Sequence, residues 1–118
     1  MKTIIVVGGS KGIGKALVEK LLAYCHVINI SRSTPKLSHS NLTHLNCDIT
    51  QDDLPGIEDA DGLVYCPGSI NLKPISRLSI DDFKNDFEIN VLGGVKVIQK
   101  YLPILKNGNK PSIVLFST

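Results

Sequence analysis

A chain of 118 residues with 42% hydrophobic and 20% charged residues has the composition of a single soluble domain with a real core. Its formal net charge of +2 comes from 13 basic and 11 acidic residues scattered along the sequence, which argues against a nucleic-acid or anionic-membrane surface. Met1-Lys2-Thr3 leads straight into an apolar run too short for a signal-peptide core and far below the ~18 residues of a membrane span, so a cytoplasmic protein is expected.

Thr3 to Val7 is a continuous apolar run, the pattern of a strand buried on both faces. From Gly12 the period changes: Leu17, Val18, Leu21 and Leu22 repeat at helical spacing to about Tyr24, with Glu19 and Lys20 on the other side. "HVINI", His26 to Ile30, predicts a second strand, and "LTHLNC", Leu42 to Cys47, a weaker third beyond a polar loop containing Pro35. Thr50 to about Glu58 predicts a short helix interrupted by Pro55 and Gly56, and "GLVYC", Gly62 to Cys66, a fourth strand. Pro67 to Leu78 is a loop of the length that tends to carry function. Ser79 is placed to cap a long helical region, with Asp81 and Asp82 in its favourable first turn. Phe83, Phe87, Val91, Val95 and Ile98 give that region one apolar face, and Pro103 with "NGNKP" ends it. "SIVLFS", Ser112 to Ser117, is the fifth strand.

Near-continuously apolar strands alternating with helical patterns predict a doubly wound parallel sheet with helices on both faces. The three cysteines, Cys25, Cys47 and Cys66, form no C-x-x-C and lie within or beside strands, which reads as reduced, buried thiols. His26, His39 and His44 show no ligand spacing, so no metal site is expected.

The informative stretch is "IIVVGGSKGIGKAL", where Gly8, Gly12 and Gly14 separate the first strand from the first helix. Glycine costs about 0.5–1 kcal/mol per residue in chain entropy relative to alanine, so local stability does not explain three of them. A strand turning tightly into a helix presents unpaired N–H groups at the positive end of the helix dipole, and bare backbone lets a pyrophosphate approach them. The spacing is G-x-x-x-G-x-G rather than G-x-G-x-x-G.

G-x-x-x-G-I-G after a first strand resembles the cofactor motif of the short-chain dehydrogenase/reductase family. Three further stations follow in order: Asp48 in "CDIT", "YCPG" at Tyr65 to Gly68 where the family has N-N-A-G, and Asn90 in "INVLGG". The resemblance covers essentially the whole chain. It implies a Rossmann-type, three-layer αβα sheet of five strands ordered 3-2-1-4-5, with the ligand at the switch between strands 1 and 4. It also implies that Asp48 contacts an adenine ring, that Gly68 leaves room for a ribose, and that Asn90 is the active-site asparagine. The expected coenzyme-binding set is Gly8, Ser10, Lys11, Gly12, Ile13 and Gly14, then Ser31 and Arg32, Asp48 and Ile49, and Cys66, Pro67 and Gly68. Val7 replaces the usual threonine and Cys66-Pro67 the usual Asn-Ala, so the hydrogen bonds of that asparagine are not carried over. Taken without the resemblance, Asp48 is also a turn former ahead of Thr50, Asn90 a structural or kink residue beside Gly93-Gly94, and Lys11 and Arg32 solvated surface charges.

In Rossmann domains an acid about 20 residues past the glycine loop holds the ribose 2′-OH, whereas an arginine suits a 2′-phosphate. "INISRS" puts Ser31 at the acid position with Arg32 beside it. Lys11 is a second cation, which in the family goes with NADP, so NADP(H) is the expected cofactor. The family's general acid is a tyrosine with a lysine four residues later, since a tyrosine pKa near 10 needs such a neighbour. Here Tyr24 is followed at that offset by Ile28, Tyr65 by Ser69 and Tyr101 by Leu105. Thr118 aligns with the family's catalytic serine. The fifth strand is wholly apolar and would be an unprotected sheet edge. The expectation is therefore one dinucleotide-binding domain over 1–118, a truncated portion of a longer reductase. It would move a hydride to or from a small-molecule carbonyl or alcohol, and be inactive alone. The alternative is a non-catalytic dinucleotide-binding or cofactor-sensing module. The helix over 86–105 resembles one that forms subunit interfaces in the family, implying a homo-oligomer.

Overall fold

Apolar runs bounded by glycine and polar turns become strands of a parallel sheet, the innermost of them covered on both faces. In the computed structural model of the chain, which describes residues 1–69 and 71–117, they are β1 (Lys2–Val7), β2 (Cys25–Ser31), β3 (Leu42–Asn46), β4 (Gly62–Tyr65) and β5 (Ser112–Leu115). They form one sheet in the order β3-β2-β1-β4-β5 with every neighbouring pair parallel. Helix α1 (Gly12–Leu21) links β1 to β2, and α2 (Ile80–Phe87) and α3 (Gly93–Leu105) lie between β4 and β5.

The pleat sends alternate side chains of β1 to opposite faces. Ile5 and Val7 pack with Leu63, Tyr65, Val97, Tyr101 and Leu105 on the α3 side, whereas Val6 packs with Val18, Leu22 and Val27 on the α1 side. Each such side chain contributes about 1.5–3 kcal/mol when fully buried. The register sets Val7 beside Ile30 of β2 and Tyr65 of β4. The carboxyl ends of the three central strands thus finish at one level; the chain leaves β1 for β2 on one side, and leaves β3 to cross to β4 on the other side of β1. Between those exits lies the crevice of a topological switch point.

Three expectations about the elements change. Residues 50–58 form no helix: after a turn at Asp48 to Gln51 the chain runs irregularly, held on α3 by side chains that replace helical bonds. Lys96 Nζ donates to the carbonyls of Ile49 and Asp52, both at 2.8 Å, and the Tyr101 hydroxyl donates to the Pro55 carbonyl at 2.7 Å. The long helical region is not one helix, because a π-helical segment at Glu88–Leu92 separates α2 from α3. Pro103 lies inside α3, whose stop is the turn in which Asn107 N donates to the Ile104 carbonyl and Gly108 N to that of Leu105. So close to the end, the missing proline N–H forfeits one bond.

The apolar stripe of the long region also points the other way. Phe83, Phe87, Val91 and Val95 are 50%, 53%, 44% and 45% exposed, while Gly93, Gly94, Val97, Tyr101 and Leu105 form the buried face of α3.

Candidate functional site

The first turn of α1 shows what the glycines do. Gly8 and Gly12 adopt φ of +84° and +57°, and a Cβ on Gly14 would collide with the Gly8 carbonyl oxygen. The bare residue at 14 lets the helix begin directly against the strand end. No side chain caps the amino end of α1, and no acidic residue occupies its first turn. Its leading N–H groups are left as a positive pole at the end of the glycine turn. The loop is fixed from below: Gly8 N donates to the Ile30 carbonyl at 2.8 Å, Gly9 N to Asn29 Oδ1 at 2.8 Å, and Cys66 N to the Val7 carbonyl at 3.0 Å.

Beside this pole lies a cavity of about 290 Å³ over the carboxyl ends of the central strands. It brings together Gly8, Ser10, Lys11, Ser31, Arg32, Asp48, Ile49, Pro67 and Gly68 of the expected set. Gly12, Ile13, Gly14, Cys66 and Asn90 do not line it, and Thr118 lies outside the described residues. The lining also includes Ser33, Thr50, Ser69 and Ile89, which sequence reasoning did not single out.

The electrostatics divide the crevice into two ends. At one, Lys11 and Arg32 are exposed, and neither joins an ion pair among the described residues. Asp48 is also here, but its Oδ1 accepts the Thr50 hydroxyl at 2.7 Å and the Thr50 N–H at 3.0 Å. These bonds hold the Asp48 carboxyl below its usual range, with the Thr50 hydroxyl the largest cause. The turn-forming role of Asp48 is therefore present, in a residue that faces the cavity.

At the other end, Asn90 sits in the π-helical segment and spends both ends of its amide on the 67–78 loop. Its Oδ1 accepts from Ser69 N at 2.9 Å, and its Nδ2 donates to the Ser69 carbonyl at 2.8 Å. Asp86 holds the same loop, accepting from Ser69 Oγ at 2.6 Å and Asn71 Nδ2 at 3.1 Å. These bonds, that from Ser69 first, lower its carboxyl pKa. The π-helical segment is held in turn by Tyr65, whose hydroxyl donates to the Ile89 carbonyl. Burial, and secondarily the Glu88 charge, pushes the Tyr65 phenol up to about 12. Burial also pushes the Cys66 thiol up to about 11, so it stays protonated at neutral pH. All three cysteines are free thiols, and no cluster of metal-ligating side chains occurs among the described residues. None of their helices is long and apolar enough to cross a membrane.

The sequence profile of short chain dehydrogenases matches residues 2–118. An uncharacterised oxidoreductase of Schizosaccharomyces pombe is 31% identical over 99% of this chain and 53% of its own length. An NADPH-dependent pterin aldehyde reductase of Arabidopsis thaliana is 28% identical over 99% of this chain and 56% of its own length. The structure of a short chain dehydrogenase family protein from Francisella tularensis superposes with a TM-score of 0.84 at 29% identity, covering all of this chain and 51% of that one. The chain spans about half the length of the relatives it matches. With strand order, glycine turn and crevice in the family's arrangement and the profile matched along almost the whole chain, this protein belongs to the short chain dehydrogenase family.

Proposed function

We propose that residues 1–118 are the coenzyme-binding half of an NADP(H)-dependent oxidoreductase. The observation that carries this reading is the convergence of Lys11 and Arg32 on one crevice beside the uncapped start of α1, with Ser31 at the position of the ribose-binding acid. The donor set fits the group: N–H dipoles and the Ser10 hydroxyl for a pyrophosphate, and the Lys11 and Arg32 cations for a 2′-phosphate. Gly12, Ile13 and Gly14 would contribute backbone amides, Asp48 and Ile49 would border the adenine, and Cys66, Pro67 and Gly68 the ribose on the far side. When bound, the coenzyme supplies a hydride for exchange with a carbonyl or alcohol of a small molecule. The NADPH dependence of the Arabidopsis relative supports the same cofactor.

Asn90 and Thr118 take the family's asparagine and serine stations in this reading. The tyrosine–lysine pair that would protonate the substrate is not among these 118 residues, so this chain alone is expected to bind coenzyme without turnover. We further read residues 86–105 as a surface for a second copy. The free thiols support a reducing, cytoplasmic setting.

Calorimetric titration with NADPH and NADH tests the reading. NADPH is expected to bind at least tenfold more tightly, and Arg32→Ala to remove about 1.5–3 kcal/mol of that preference, the range for a charge-assisted hydrogen bond. Equal affinities for the two coenzymes would contradict it.

A further inference from the structure

Asn29 is a polar residue at the centre of an apolar strand, and it is fully buried. A carboxamide at that depth persists only if its groups are paired. Its Oδ1 accepts the Gly9 N–H at 2.8 Å, and its Nδ2 lies 3.0 Å from Ser31 Oγ and 3.0 Å from His44 Nδ1. The Gly9 donor fixes which end of the amide is oxygen, so the orientation is unambiguous. It also makes His44 Nδ1 an acceptor, which puts that ring's proton on Nε2.

The bonds then run on to the rim of the crevice. Ser31 Oγ donates to the Ser33 carbonyl at 2.7 Å, and Ser33 Oγ donates to Ser10 Oγ at 2.9 Å. Ser10 follows Gly9 in the chain, so the series closes on itself: Gly9, Asn29, Ser31, Ser33, Ser10. Arg32 sits inside the ring between Ser31 and Ser33, and the three serines line the cavity with it.

We propose that Asn29 is a positioning residue for coenzyme selection, tying the phosphate loop to the turn that carries Arg32 so that both face the crevice in one fixed arrangement. The inference rests on the NADP(H) reading above. One half of the ring, Gly9 and Ser10, meets the part of the coenzyme that NADPH and NADH share. The other, Ser31 to Ser33, meets only the ribose substituent that distinguishes them. Loss of the tie therefore weakens NADPH more than NADH, because a freed turn must be ordered again before Arg32 can engage.

The test is the ratio of NADH to NADPH dissociation constants, measured by calorimetry on the wild-type chain, Ser33→Ala and Asn29→Leu. Ser33→Ala opens the ring at its exposed joint, away from the core, and is expected to lower the ratio about threefold. Asn29→Leu removes every bond of the hub and is expected to lower it about tenfold, with NADH affinity changed less than the ratio. A loss of stability alone would weaken both coenzymes alike and leave the ratio in place. A wild-type preference for NADPH that survives both substitutions unchanged overturns the role of Asn29 and leaves the NADP(H) reading standing. Absence of any wild-type preference overturns both. Should Asn29→Leu fail to fold, an unchanged ratio in Ser33→Ala alone overturns the proposal.

Discussion

The hydroxyl of Tyr65 occupies the space where a side chain on residue 93 would begin, so Gly93 and Tyr65 are complementary choices. A Cβ at 93 would also meet Ile49 Cδ1 at 3.1 Å, closer than ordinary packing. Gly93→Ala is therefore expected to destabilise by about 1–3 kcal/mol, the usual cost of overpacking. Tyr65→Phe leaves the Ile89 carbonyl without its donor and should cost about 1–2 kcal/mol. The two effects should not add: in the Tyr65→Phe background the alanine methyl meets less, and the double variant should be more stable than the sum predicts by at least 0.5 kcal/mol. Urea unfolding of the four proteins measures this, and strict additivity would show that the hydroxyl and the glycine are independent. Neither Tyr65 nor Asn29 was legible from sequence, for the same reason. Tyr65 in an apolar strand reads as core, and the carbonyl that needs it belongs to residue 89, which a distant π-helical segment brings over the strand end. Asn29 breaks the apolar run of β2, but its partners Gly9 and His44 meet it only once the strands pair. The glycine turn was legible, because what it needs, bare backbone between strand and helix, is local.

At the level of elements, α2 stands almost free of the core, with no buried residue of its own, so its ends decide whether it forms. Ser79 Oγ accepts from Asp82 N at 3.0 Å, and Asp82 Oδ2 accepts from Ser79 N at 3.0 Å and from Lys73 Nζ at 3.0 Å. This reciprocal cap, with Asp81 and Asp82 at the positive end of the helix, supplies what packing does not. Ser79→Ala is expected to cost about 1 kcal/mol. Because α2 carries Asp86, the same change should speed amide exchange at Ser69 and Asn71. Unchanged exchange there would separate the cap from the loop. The cap itself was readable, as a serine ahead of two acids at the start of a helical period, but the reciprocal bond that Asp82 accepts was not. The break between α2 and α3 was not, since apolar residues recur at helical spacing straight through residues 88–92. A π-helical segment adds a residue to one turn and rotates everything after it. This lets Phe83 and Phe87 face outward while Val97, Tyr101 and Leu105 face the sheet. The irregular course of 50–58 has the opposite origin: Pro55 and Gly56 weaken a helix locally, and Lys96 and Tyr101 of α3 satisfy the carbonyls that it would have used.

The molecule as a whole should be most stable near neutrality, with carboxylates setting one limit and the Cys66 thiol together with the tyrosines the other. Asp61 joins the starts of three strands, accepting from Asn109 N at 2.7 Å and Thr3 N at 2.9 Å. These bonds, that from Asn109 first, lower its pKa. Asp48, Asp82 and Asp86 are likewise lowered. An unfolded aspartate titrates near 3.9, so this stabilisation is complete above about pH 5 and is lost as pH falls through the lower folded values. Burial pushes the phenols of Tyr65 and Tyr101 up to about 12. Their contribution is full below about pH 10, the unfolded value, and is lost as pH rises towards 12. Thermal melts across pH should show both limbs, and Tyr101→Phe should flatten the alkaline one. The parallel sheet was legible at this scale from apolar strands alternating with helical periods, and its strand order only through the family resemblance that the glycine turn carries. The outward direction of the apolar stripe was not, since periodicity gives a face without saying what it meets. That face carries the last expectation. Phe83, Phe87, Val91 and Val95 expose a row of large apolar groups along α2, the π-helical segment and the start of α3, a patch of the kind that marks contact surfaces. If a second copy covers it, sedimentation will show association that grows with concentration. Val95→Lys should then shift the chain to monomer while moving its melting free energy by less than about 0.5 kcal/mol, as expected for an exposed position. A wild-type chain that stays monomeric at the highest soluble concentration would show that the stripe serves some other contact.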